Sequence, residues 1–221
     1  MSKLYLQRHL KSQWNVENRF AGWVDNPISR EGSDMALEAS KLFINEKFDV
    51  IFTSPLARNQ QTVIRILRNF DKTPLFVHLD GGKMQEWGNF DKISENCVPV
   101  FVSEKLNERY YGKLQGLNKK ETAEKYGKDL VQQWRRSYKI APPEGESMED
   151  TFNRVIPFYK EKIEKDLKEN KNVLVVASHN SLRAIVKYIN NINDEDISNL
   201  ELPFGSVVKY DFDGENYSPL Q

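Results

Sequence analysis

Val173-Leu174-Val175-Val176-Ala177 is a run of five β-prone apolar residues with no polar member. A strand that is apolar on both faces must be covered on both faces, which is the situation of a central strand in a parallel sheet. That run sets the frame for the rest of the chain, in which short apolar segments alternate with amphipathic ones. Leu4-Tyr5-Leu6, Val50-Ile51-Phe52, Leu75 to Leu79 and Val207 to Phe212 read as further strands. Glu31 to Phe48 reads as a helix with Met35, Ala39, Leu42 and Phe43 on one face. Leu56 to Phe70 reads as another, striped by Val63, Ile64, Leu67 and Phe70. Helices are also predicted over Lys119 to Tyr126, Asp129 to Tyr138, Ser147 to about Asn170, and Ser181 to Asn190. Ser147-Met148-Glu149-Asp150 resembles a capping box with Asp in place of Glu, and Pro157 should kink or divide the helix it opens. Asp80 to Asn96 is polar, rich in Gly and Asn, and reads as an excursion. Alternating β and α elements predict an α/β three-layer sandwich: a mostly parallel central sheet with helices on both faces. No linker, repeat or low-complexity tract divides the chain, so a single domain over residues 1–221 is expected.

Composition narrows the class. Thirty-two Lys+Arg balance 32 Asp+Glu, a net charge of zero that argues against bulk nucleic-acid binding but not against a local basic pocket. Cys97 is the single cysteine, so no disulfide forms within the chain and a reducing, cytoplasmic setting is expected. The opening residues lack the charged and apolar regions of a signal peptide, and no run is long enough to span a bilayer. Neither nucleic acid nor membrane is an expected partner.

Three polar clusters follow directly after three strands: Arg8-His9, Thr53-Ser54 with Arg58, and Ser178-His179-Asn180. In open α/β sheets ligands bind at the carboxyl ends of the strands. An imidazole nitrogen can attack phosphorus, and a guanidinium fork can hold phosphoryl oxygens. The placement predicts one shared phosphate-handling site.

The motifs carry a resemblance. Arg8-His9-x-x-Ser12-x-Trp14-Asn15 followed by Phe20-Ala21-Gly22-Trp23 resembles the opening signature of the histidine phosphatase superfamily. Thr53-Ser54-Pro55-Leu56-x-Arg58-x-x-x-Thr62 is similar to its second motif. The stretch from Leu106 to Lys119, with Gln133 to Tyr138, Ala141-Pro142-Pro143 and Asn180-Ser181-Leu182-Arg183-Ala184, narrows the likeness to the cofactor-dependent phosphoglycerate mutases. It runs from about residue 3 to about residue 210.

The resemblance implies interconversion of 3- and 2-phosphoglycerate through a phosphohistidine on His9, primed by 2,3-bisphosphoglycerate, without a metal. Arg8 and Arg58 would bind the transferred phosphoryl group, His179 would hydrogen-bond it, and Glu108 would move the substrate hydroxyl proton. Asn15 and Asn180 would add neutral donors. Arg109, Lys119, Arg135 and Arg136 would take the carboxylate and second phosphate, with Tyr111 lining the pocket and Ser12 and Gly22 among the substrate-binding positions. The partner is then a small anionic phosphorylated substrate. Whether the chain forms a homo-oligomer stays open.

Taken singly, these residues have plainer readings. Arg135-Arg136 could be a solvated helix face, Lys119 part of a surface Lys-Lys-Glu run, and Glu108-Arg109 a surface ion pair of little worth. His78 reads as structural, and Trp14, Trp23 and Trp134 as core or wall.

Two positions depart from the family pattern inside the site. Leu10 stands where glycine normally follows the nucleophile, which predicts a bulky side chain beside the phosphate. The family's His-Gly-Asn-Ser-Leu-Arg is here Ser178-His179-Asn180-Ser181-Leu182-Arg183, so Ser178 occupies the histidine slot. A one-residue shift turns a side chain to the other face, while a bulge or tighter turn after Ala177 would restore His179 to the site. Entry of His179 is the expectation. Ala21 also replaces a threonine, removing a hydroxyl, and the short tail after the last strand predicts an open mouth. A phosphatase of the same fold and a catalytically silent metabolite-binding relative are the rival readings.

Overall fold

The computed structural model describes residues 1–68, 70–87 and 93–220. Seven strands form one sheet: β1 (Ser2–Arg8), β2 (Val50–Thr53), β3 (Thr73–His78), β4 (Cys97–Val102), β5 (Val173–Ala177), β6 (Val207–Phe212) and β7 (Tyr217–Pro219), in the order β3-β4-β2-β5-β1-β6-β7. The five strands from β3 to β1 run parallel, and β6 and β7 add antiparallel at one edge. The mostly parallel sheet expected from the sequence is the one observed.

β5 lies at the centre, paired with β2 on one side and β1 on the other. All five of its residues are fully buried. Val173, Val175 and Ala177 enter one hydrophobic core with Leu4, Phe52 and Ile185. Leu174 and Val176 enter the opposite core with Tyr5, Ile51 and Val63. Helices cover both faces because both faces of the central strand are apolar.

Some elements differ from expectation. The helix foreseen over Glu31 to Phe48 is two short helices, Arg30–Asp34 and Ala36–Lys41, followed by turns that tuck Phe43 and Phe48 into the core. The helix of the second motif is Ala57–Ile66, and residue 69 of its predicted extension lies outside the described residues. Within the Asp80–Asn96 excursion, Lys83–Trp87 is helical and residues 88–92 lie outside the described residues. Lys119–Tyr126 and Lys128–Arg136 match the two helices expected there. The long helix does begin with the reciprocal Ser147–Asp150 box, and runs from Met148 to Phe158. Pro157 lacks the N–H that would close its turn, and a wider π-helical turn, Tyr159–Ile163, follows before Glu164–Lys168.

Candidate active site

β2, β5 and β1 are neighbours in the sheet, so the three polar clusters converge at one edge. They open into a cavity of about 250 Å³ lined by Arg8, His9, Asn15, Arg58, Glu108 and Tyr111, with Lys119, Arg135, Arg136, His179 and Asn180. Arg19, Phe20, Ala21, Gly22, Arg183, Glu201 and Phe204 complete the wall.

His9 follows β1 and is almost wholly buried. Its Nδ1 donates to the carbonyl of Leu10 at 2.7 Å, an assignment that leaves Nε2 with the lone pair. Burial, then the Arg58 and Arg8 guanidinium groups, hold its pKa well below the ordinary histidine value. The ring is therefore neutral at pH 7 and competent as a nucleophile.

Arg58 comes from the first turn of Ala57–Ile66. Its two terminal nitrogens donate to the carbonyls of Val24 (3.0 Å) and Gly22 (2.7 Å). Those bonds fix the plane of the guanidinium and leave three of its five N–H groups for another acceptor. Gly22 holds φ +49°, and a Cβ there would overlap Gln115 Oε1, so the carbonyl that receives Arg58 depends on a glycine. Arg8 donates to the carbonyl of Leu202 and lies 3.7 Å from the centroid of Phe204. Burial lowers the pKa of both arginines only to about 10, so both keep their charge at pH 7.

Glu108 is buried, and its Oε1 accepts from the backbone N–H groups of Arg109 (2.8 Å) and Asn180 (3.1 Å) and from Asn180 Nδ2 (2.8 Å). It is no surface ion pair. Asn15 accepts from Ser12 N (3.1 Å) and Ser12 Oγ (2.8 Å) through Oδ1, which leaves its Nδ2 as a donor. Lys119 is half-buried, and burial lowers its pKa.

His179 lines the cavity as expected; Ser178 does not. Ser178 is the extended N-cap (φ −88°, ψ 166°) of a helix that starts at once with His179 and ends at Asn190. The chain turns from strand to helix within one residue, which brings His179 round to the cavity without a bulge. Its Nε2 accepts from the Leu202 N–H (3.3 Å) and lies 3.4 Å from Glu201 Oε2. Ser178 is fully buried instead, its Oγ accepting from Asn59 Nδ2 at 3.2 Å.

Three expectations need correction. Leu10 does not crowd the cavity: its side chain is fully buried in the core with Tyr5, Ile28 and Ala39, 3.3 Å from where a Cβ on Gly205 would stand. Only its backbone serves the site, the carbonyl receiving His9 and the N–H bonding Thr62 Oγ1 at 3.0 Å. Ser12 is absent from the cavity wall, because it is the buried N-cap of Gln13–Val16, in a capping box with Asn15. Arg109 is also absent from the wall. It lies fully buried behind it, donating to Tyr111 Oη (3.2 Å) and the Arg135 carbonyl (2.9 Å). Asn180 lines the cavity, but its amide is engaged with Glu108 and Arg183.

Sequence reasoning missed Arg183, Glu201 and Phe204. Arg183 lies four residues after His179 on one helix, a spacing that shares a face and could have flagged it. Glu201 pairs with Arg136 and Phe204 stacks on Arg8, but both belong to a loop with no motif of its own.

The wall carries seven Lys and Arg side chains against two carboxylates. Among the described residues Arg8 Nε and Arg183 Nε, like Arg109 Nε and Nη1, are buried with no hydrogen-bond partner. A surplus of fixed cationic donors suits a small polyanion.

YhfR of Bacillus stearothermophilus superposes with a TM-score of 0.76 over 99% of this chain and 95% of its own, at 21% identity. A mycobacterial glucosyl-3-phosphoglycerate phosphatase does so with a TM-score of 0.73 over 99% and 96%, at 20% identity. At such identities the likeness is one of fold. The family model for the histidine phosphatase superfamily (branch 1) matches residues 4–91 and 90–220. The 2,3-bisphosphoglycerate-dependent phosphoglycerate mutase of Protochlamydia amoebophila is 42% identical over the whole of both chains. That of Methanococcus vannielii is 45% identical over all of this chain and 94% of its own. The chain belongs to the histidine phosphatase superfamily and, within it, to the family of the 2,3-bisphosphoglycerate-dependent phosphoglycerate mutases.

Proposed function

We propose that this chain, acting as one domain in the cytoplasm, interconverts 3- and 2-phosphoglycerate in glycolysis and gluconeogenesis. The observation that carries the reading is a neutral, buried His9 sharing one cationic cavity with the buried carboxylate of Glu108. His9 Nε2 is the phosphoryl acceptor. Arg8 and Arg58 hold the equatorial oxygens as charge develops, the interaction that supplies most of the barrier reduction in phosphoryl transfer. His179, with Nε2 occupied by Leu202, offers its Nδ1–H to the same group. Glu108 Oε1 is held by three N–H groups, and Oε2 exchanges the proton of the substrate hydroxyl. Lys119, Arg135 and Arg136 bind the carboxylate and the second phosphate, Tyr111 and Gly22 shape the wall, and Asn15 adds a neutral donor. Ser12, Arg109 and Asn180 act through others: Ser12 sets Asn15, Arg109 sets Tyr111, and Asn180 sets Glu108.

The cationic surplus of the cavity also fits 2,3-bisphosphoglycerate, which Arg8, Arg58, Lys119, Arg135 and Arg136 would hold. When bound, it supplies the phosphoryl group that primes His9.

A coupled mutase assay run beside a phosphate-release assay tests the reading. Mutase turnover well above phosphate release supports it. Dominant phosphate release would make the chain a phosphatase, and neither activity would make it a silent binder.

A further inference from the structure

Between the helix that starts at His179 and strand β6, the loop from Leu200 to Ser206 folds back over the catalytic edge. The carbonyl of Ser206 receives the Arg8 N–H at 3.0 Å, and Gln7 Nε2 donates to the carbonyl of Gly205 at 2.8 Å. Leu202 receives Arg8 and donates to His179. Phe204, held between these anchors, is half-buried and lines the cavity. Its ring centroid is 5.7 Å from that of His9 and 3.7 Å from the Arg8 guanidinium carbon. With Phe20 and Ala21 it is the apolar part of a wall whose other side chains are charged or polar.

We infer that Phe204 decides the fate of the phosphorylated His9 by keeping water from it, and so sets the balance between transfer to phosphoglycerate and hydrolysis. This rests on the mutase reading above. In hydrolysis a water oxygen bonds to phosphorus as the Nε2–P bond breaks. The bonding pair returns to Nε2, the water proton passes to Glu108, and inorganic phosphate leaves. The cavity holds the nucleophile, the carboxylate and the cationic donors that such a reaction uses. A carboxylate able to deprotonate a substrate hydroxyl can deprotonate water equally well, so selectivity against hydrolysis has to come from exclusion. An aromatic ring beside both His9 and Arg8 fills cavity space next to the phosphohistidine without offering water a hydrogen-bond partner. It also binds the Arg8 face by cation–π contact, which keeps ring and phosphate clamp together.

The test is the lifetime of phosphoenzyme made with 32P-labelled 2,3-bisphosphoglycerate, then freed of excess label and followed in buffer without acceptor. Wild type, Phe204→Ala and Phe204→Leu are compared, each checked for native circular dichroism. Phe204→Ala should lose label about tenfold faster, with the ratio of phosphate release to mutase turnover rising by a similar factor. Phe204→Leu, which keeps an apolar cover, should stay within about threefold of wild type. An unchanged lifetime in Phe204→Ala, or equal losses in both variants, would overturn the inference while leaving the mutase reading standing. A wild-type chain that takes up no label overturns that reading, and this inference with it.

Discussion

Asn180 grips one oxygen of Glu108 with two donors, its backbone N–H at 3.1 Å and its Nδ2 at 2.8 Å. The first turn of the helix that presents His179 thereby also aims the carboxylate. Glu108→Gln should keep the shape and most of the hydrogen bonds but remove the proton carrier. Turnover should drop by about a hundredfold or more with KM little changed. Steady-state kinetics of the mutase reaction check this, and an unaltered kcat would remove Glu108 from the chemistry.

Ser178 and His179 should separate cleanly. His179→Ala removes a cavity donor beside Arg8 and should depress phosphoryl transfer by two orders of magnitude or so. Ser178→Ala leaves Asn59 short of one acceptor in the core and should cost about 1 kcal/mol of stability, with little effect on turnover. Denaturant unfolding and kinetics on both variants decide it. A reversal of the two effects would place the serine, not the histidine, at the phosphoryl group.

Leu10 is a core residue that happens to follow His9. Leu10→Gly should destabilise the fold by about 3–5 kcal/mol, the range for emptying a buried leucine site. It should alter the mutase rate far less at a temperature where the variant stays folded. A faster enzyme with unchanged stability would restore the side chain to the phosphate site.

Acid should weaken the fold through the two cavity histidines. Burial first, then neighbouring guanidinium groups, hold the pKa of His9 and of His179 below the ordinary value of 6.5. Once unfolded, each takes up a proton near that pH; folded, neither does. The unfolded state therefore binds more protons below pH 6.5, and stability falls as pH drops. Each histidine contributes a slope approaching ~1.4 kcal/mol per pH unit well below its unfolded pKa. Unfolding free energies at pH 7, 6 and 5 should show the decline, and His179→Asn, which leaves only the contribution of His9, should make it about half as steep. A profile level over that range would mean that the folded imidazoles take up protons as the unfolded ones do.

The strands at the heart of the sheet were the most legible elements. Val173–Ala177 stands where its apolar run places it, since all five residues are buried, and Val207–Phe212, beside the edge strand, was legible from its own run. β4 was not foreseen. Cys97 to Val102 carries Pro99, and proline argues against a central strand. On the β2 side the pairing begins at Val100, just past the proline, while the register with β3 runs through Pro99 opposite Leu75. The convergence of His9, Arg58, Glu108 and His179 was readable because motif order and strand ends both point to it. The roles of Ser12 and Arg109 were not, because a capping serine and an arginine behind the wall look the same in sequence as ligands in it. Phe204 was invisible for a further reason. Its position depends on how a loop far along the chain returns to β1, and no local pattern encodes that.

The claim on which all else depends is a phosphoryl group carried by His9. Incubation with 2,3-bisphosphoglycerate, followed by mapping of the acid-labile, base-stable phosphoryl group by mass spectrometry under alkaline conditions, tests it most directly. The expected result is one phosphoryl group on His9, none in His9→Ala, and loss of mutase activity in that variant with its fold intact. Label on another residue, or His9→Ala retaining a tenth or more of wild-type activity, a barrier change of only about 1.4 kcal/mol, would contradict it.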